Sequence, residues 1–246
     1  MIFTLLVFLA ALLAGGVAAI SGFGIGSLLT PLFAVRFGAK LAVAIVSVPH
    51  LFATAARFIS LRKKLDTTIF LHFGILSAAG GLLGALLNAR ANSPALAIVF
   101  GCLLIFAAAS GLTGFIDRMR FGRRTAWVTG ALSGFFGGLV GNQGGIRSAA
   151  LLGFQIQREA LVATATAIAL IVDGARMPVY MAAEGRDVLG AWRLLVTAVV
   201  GVLLGTFWGV RILRRIPEPL FRKLLYILIL ALGIYMLVHG IKLREA

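Results

Sequence analysis

The chain has 246 residues, 61% of them hydrophobic and only 13% charged, with a mean hydropathy of +1.05. A soluble domain of this size carries roughly 25% charged residues, so a soluble globular protein is excluded and a bilayer is the expected surroundings. The net charge of +15 comes from Lys and Arg that punctuate apolar runs, as topology signals do. Anionic lipid headgroups are therefore the expected partner. Nucleic acid is not, because no basic stripe interleaved with aromatics is present.

In chain order, charge-poor stretches run over 2–35, 41–61, 67–89, 94–116, 126–157, 160–183, 188–210 and 219–241. Each is long enough to cross a bilayer, which takes about 20 residues. These read as an all-α integral membrane protein with a single domain over 1–246. Residues 1–20 lack the basic start of a signal peptide, the first positive side chain being Arg36, so they are expected in the mature protein. The single cysteine, Cys102, can form no intrachain disulfide and is expected as a small core residue.

The chain repeats itself. Ser21-Gly22-Phe23-Gly24-Ile25-Gly26-Ser27 is followed 119 residues later by Val140-Gly141-Asn142-Gln143-Gly144-Gly145-Ile146, and Arg57 falls on Arg176 at that same offset. Asp66 then matches Asp187, and Gly80/Gly84 match Gly201/Gly205 after a slip of two residues. The expected repeat units are 1–117 and 124–246. The Gly-x-x-x-Gly pairs at 80–84 and 201–205 are expected as close helix contacts.

If all eight stretches simply cross, the basic residues outside the spans divide 11 against 9, which is no bias. If 2–35 and 126–157 instead enter and return as hairpins broken at their glycines, the division becomes 13 against 7. The rule that positive charge collects on the cytoplasmic side favours the second arrangement. Each half then holds one broken hairpin and about three spanning helices. An odd number of crossings inverts the second half relative to the first.

Glycines at nearly alternating positions lower helix propensity by roughly 1 kcal/mol each. The helix is thus expected to break at Gly22/Gly24/Gly26 and at Gly141/Gly144/Gly145. A broken helix at membrane depth must line a polar cavity or be buried in protein. The helix that resumes there turns its positive N-terminal end to the break, where an anion can sit. Candidate substrate contacts are Gly24, Gly26 and Ser27 in the first half, and Asn142, Gln143, Gly144, Gly145, Arg147 and Ser148 in the second. Arg147 stands out because a guanidinium beside a helix start can grip an oxyanion with two hydrogen bonds.

Charges at membrane depth cost about 2.5–3.5 kcal/mol each on insertion scales, so Arg57, Arg176 and Asp173 are also candidates. Asp173 and Arg176 lie three apart, where they can form an ion pair. Asp173, the one acid well inside a span, is the candidate coupling group. The alternatives are that this pair only holds its helix in place, and that Arg57 reaches along the helix to the nearby Arg62 cluster. His50 and His72 lack a second ligand at metal spacing and read as packed or interfacial histidines. No metal site, cofactor or nucleotide-binding loop is expected, and no catalytic constellation is seen.

These glycine motifs, Gly22-Phe23-Gly24-Ile25-Gly26 through Pro31 and Gly141-Asn142-Gln143-Gly144-Gly145, in a basic chain of about this length, resemble the sulfite exporter TauE/SafE family, grouped with sulfonate uptake permeases. Ile25 and Gln143 depart from a fuller glycine pattern. The resemblance implies movement of sulfur-containing or carboxylated anions such as sulfite or sulfoacetate across the bacterial inner membrane. Residues and resemblance together give a secondary anion transporter working by alternating access, compatible with a homodimer through its glycine-rich faces. The competing expectation is a non-catalytic assembly partner or an intramembrane enzyme.

Overall fold

The computed structural model describes residues 2–22, 24–115, 123–141, 158–209 and 217–245, together with Gly144, Arg147 and Leu151. Every described element is helical: α1 (Ile2–Ser21), α2 (Ile25–Leu61), α3 (Thr67–Arg90), α4 (Ser93–Leu112), α5 (Arg123–Val140), α6 (Arg158–Gly190), α7 (Trp192–Leu204) and α8 (Glu218–Glu245). A π-helical turn over Gly205–Gly209 extends α7. Among the described residues six helices are long and apolar enough to cross a membrane. Large apolar side chains such as Leu71, Ile75 and Leu83 stand exposed, as lipid-facing residues do. The chain is a multi-pass membrane protein.

The breaks fall where the glycines put them. Gly22 has φ 79° and Gly24 φ 126°, values in which a Cβ would be strained, so α1 ends there. Gly26 already belongs to the first turn of α2. The chain then doubles back, since the Phe3 and Phe33 rings lie 6.4 Å apart and Arg36 covers the Phe3 ring at 5.3 Å. Residues 2–37 thus form the hairpin that the charge count favours. A second bend comes at Gly38, with φ 76°, rather than at Pro31 or Pro49, both of which lie inside α2. Lys40 and Arg186, whose charges mark loops or interfacial anchors, sit within α2 and α6.

Asp66 starts α3 by accepting from the Ile69 amide at 3.0 Å, and Asn92 starts α4 by accepting from Ala95 at 3.0 Å. Side-chain caps satisfy first-turn amides that hydrocarbon would leave unpaired.

The glycine pairs set the packing. A Cβ on Gly80 or Gly84 would strike the α5 backbone at Ala131 and Phe135, and one on Gly134 or Gly138 would strike α3 at Ser77 and Gly81. The matching residues rise together, so α3 and α5 run parallel. Gly201 and Gly205 meet α1 at Phe8 and Leu12 in the same manner, so α7 runs parallel to α1. Two other pairs are antiparallel. In one, Gly101 and Gly111 of α4 meet Leu237 and Tyr226 of α8. In the other, α2 crosses α6, with Lys40 Nζ 3.2 Å from Glu184 Oε1 and Ser47 Oγ 3.3 Å from Met177 Sδ.

These directions put Arg62–Lys64 and the starts of α3, α5 and α6 at one end of the bundle. The start of α1, Gly38, Arg90 and the end of α6 lie at the other. α5 and α6 thus start at the same end of the bundle. Cys102, expected in the core, is exposed on α4. In a bilayer an apolar side chain facing lipid costs no more than one facing protein.

Candidate functional site

Where α2 crosses α6, near the middle of both, a polar stripe interrupts the apolar core. On α2 it comprises Ser47, His50, Thr54 and Arg57, all buried, at spacings of three, four and three that keep them on one helical face. Opposite them on α6 stand Asp173, Arg176 and Tyr180, each at most 1% exposed. Arg147, only 3% exposed, joins from the segment after the second break.

Asp173 is the hub. Its Oδ2 lies 2.7 Å from His50 Nδ1, and its Oδ1 lies 2.7 Å from Arg176 Nη2. The second contact is an ion pair without hydrogen-bond alignment, since Oδ1 has no hydrogen-bond partner. Arg57 and Arg147 also feel the Asp173 charge. A carboxylate facing His50 accepts, so Nδ1 carries the hydrogen and the other ring nitrogen, Nε2, is the basic one.

The two in-span arginines expected to match do the same job. Arg57 Nη1 donates to Ala18 O in the last turn of α1, and Arg176 Nη1 donates to Gly137 O in the last turn of α5. Those same carbonyls accept from Gly22 N at 2.9 Å and Gly141 N at 3.0 Å. Gly141, with φ 75°, closes α5 as Gly22 closes α1. A guanidinium on a helix C-terminus gives a last-turn carbonyl a second donor and complements the negative end of the dipole. Arg57 therefore turns into the protein rather than toward Arg62. The Nε atoms of both arginines are buried and unpartnered.

Of the other expected contacts, Gly24, Gly26 and Ser27 are buried at the start of α2, and Gly24 supplies no side-chain cap. Gly144 is buried as well. Arg147 Nη1 donates to Ala165 O at 2.9 Å. Asn142, Gln143, Gly145 and Ser148 lie outside the described residues. The second break abuts α2, because a Cβ on Gly141 would lie 3.5 Å from Thr30 Oγ1, itself buried without a partner.

His50 is the residue that the sequence reading missed as a site member. The signal was present in the Ser47, His50, Thr54 and Arg57 stripe on an apolar helix, but its acidic partner lies 123 positions away. His72 is peripheral, stacked on Trp127 at 5.4 Å.

Among the described buried residues around the crossing are three guanidiniums, Arg57, Arg147 and Arg176, and one carboxylate, Asp173. With His50 neutral, the cluster carries an excess of two positive charges in a buried, membrane-embedded core. A cleft of about 640 Å³, lined by Thr4, Arg36, Phe37, Asp187, Trp192 and Arg193 among others, opens at the end opposite Arg62–Lys64.

Neither the characterised proteins nor the solved structures offer a significant match to this sequence. The family-wide sequence profile described as sulfite exporter TauE/SafE matches residues 7–236, nearly the whole length, and spans the breaks, the crossing and the buried charges alike. The chain belongs to the sulfite exporter TauE/SafE family of membrane transporters.

Proposed function

We propose that the protein is a secondary transporter of small organic or inorganic anions of the sulfite, sulfonate or carboxylate type. It acts in the bacterial inner membrane by alternating access, and it is not an enzyme. The observation that carries this reading is the excess of buried positive charge at the α2–α6 crossing. Each uncompensated buried ion costs several kcal/mol. An anion about 4 Å from a guanidinium returns roughly 4 kcal/mol at an effective dielectric of about 20. The anion is held chiefly by Arg147, Arg57 and Arg176, together with the start of α2 at Gly24, Gly26 and Ser27.

We read the two halves as an inverted repeat. In support, the glycine pair of each half packs on the first helix of the other, and the corresponding helices α2/α6 and α4/α8 run antiparallel. Transporters of this construction bind at the interface of the repeats and rock one against the other. The basic end of the bundle faces the cytoplasm, so the cleft opens on the opposite side.

The test is flux in proteoliposomes. Vesicles loaded with sulfite or sulfoacetate should exchange labelled anion, and Arg147→Ala should slow the exchange at least tenfold, the effect of about 1.4 kcal/mol. Exchange no faster than in protein-free vesicles, across both anions and thiosulfate, would reject the reading.

A further inference from the structure

We infer that His50 is the site of a transported proton, bound together with the anion, so that the protein is a proton–anion symporter whose two ligands share one buried cluster. This rests on the transport reading above.

The argument starts from placement. His50 is 9% exposed and sits at the α2–α6 crossing, the contact between the two halves of the chain. Its Nδ1–H is held by Asp173 Oδ2, which fixes the ring and leaves Nε2 as the protonation site. The charged and titratable groups around it are Arg57 on its own helix, Asp173, Arg176 and Tyr180 on α6, and Arg147 from the segment after the second break. Thr54 Oγ1 lies 3.5 Å from Nδ1.

Three guanidiniums against one carboxylate disfavour a further cation, so the unloaded site holds His50 neutral. An anion entering among Arg147, Arg57 and Arg176 removes part of that repulsion, and the Nε2 lone pair then takes a proton from the same aqueous side. By reciprocity, the proton strengthens anion binding by the same factor. When the bundle opens to the other side, departure of either ligand loosens the other. The proton leaves Nε2 as it arrived, with the Nδ1–H···Asp173 bond kept throughout, so no redox step or other reactant is needed. Asp173 stays ionised as the positioning group. His50, whose side chain has its unperturbed charge change closest to neutral pH, does the carrying.

The experiment uses full-length protein in liposomes and labelled sulfoacetate, whose carboxylate and sulfonate are both ionised across the neutral range. Wild-type protein should accumulate sulfoacetate when the outside is made one pH unit more acidic than the lumen, with the membrane potential clamped. A lumenal pH dye should report protons entering with the anion. Apparent affinity should fall by up to about tenfold per pH unit where His50 loses its proton.

His50→Gln should lose gradient-driven accumulation, and the anion binding that remains should no longer vary with pH. An unfolding midpoint in detergent close to that of wild type shows that the variant is folded. Should His50→Gln fail to fold, the same readouts are taken on His50→Asn. Wild-type exchange without proton entry, or a His50→Gln variant that still accumulates anion, overturns the symport assignment while leaving the transport reading intact. Absence of any wild-type exchange overturns both.

Discussion

The two glycine breaks share one backbone device and differ in their chemistry. At the first, α1 ends on Gly22 and Arg57 grips Ala18 O; at the second, α5 ends on Gly141 and Arg176 grips Gly137 O. Sequence distances within the two devices are identical, 39 residues from carbonyl to arginine in each. Three residues before the arginine, however, the first half has Thr54, which meets Arg57 Nη2 at 3.4 Å, and the second has Asp173. Arg147 has no counterpart either, since Leu28 occupies the place 119 residues earlier. Two equal clamps thus hold the breaks open, and one side alone carries the acid and the extra guanidinium. The backbone device is common to both breaks, and the side chains set around it are not.

The largest expected effect separates the two clamps. Arg176→Leu leaves Asp173 buried beside His50 without its ion-pair partner and should destabilise the protein by about 3–5 kcal/mol. Arg57→Leu removes hydrogen bonds, to a carbonyl that still accepts from Gly22 and to Thr54, together with one surplus buried charge, and should cost less, at most about 1–3 kcal/mol. Thermal unfolding in detergent micelles should show the larger midpoint drop for Arg176→Leu. Equal drops would mean that Asp173 draws no stability from its arginine.

Packing gives the next effect and should not distinguish the halves. Gly84→Val and Gly205→Val each drive a branched side chain into the backbone of the facing helix, α5 or α1. Each should cost at least about 1–3 kcal/mol, visible as reduced thermal stability of a similar size. A tolerated valine at one site only would break the equivalence of the two helix contacts.

The smallest effect lies at the rim. Lys40 and Glu184 are partly exposed at 25% and 16%, and such pairs contribute about 0–1 kcal/mol. Lys40→Met should leave the unfolding midpoint nearly unchanged. A drop as large as that of Arg57→Leu would place the pair among the structural clamps of the crossing.

Much of this arrangement can be read from spacing. The break at Gly22–Gly24, the contacts of Gly80/Gly84 and Gly201/Gly205, and the Asp173–Arg176 pair all follow from residues close in sequence. The hairpin expected over 2–35 follows from charge arithmetic, a property of the whole chain. What spacing does not carry is long-range pairing. The meeting of His50 with Asp173 depends on α2 crossing α6 antiparallel, and nothing in either helix alone encodes that register. The bend at Gly38 has no glycine or proline beside it to mark it, while Pro31 and Pro49 lie inside α2. Exposure of Cys102 was hidden because lipid and protein interior select the same apolar side chains. The inward turn of Arg57 is masked by the nearby Arg62 cluster, and it follows from the Ala18 carbonyl at the C-terminal end of α1, 39 residues away.

The most direct test of the central claim is a structure determined with sulfite or sulfoacetate bound. The account predicts anion density within hydrogen-bonding reach of Arg147 and at least one of Arg57 and Arg176, at the α2–α6 crossing. Density confined to the outer cleft by Arg36 and Arg193, with the buried guanidiniums unengaged, would contradict it.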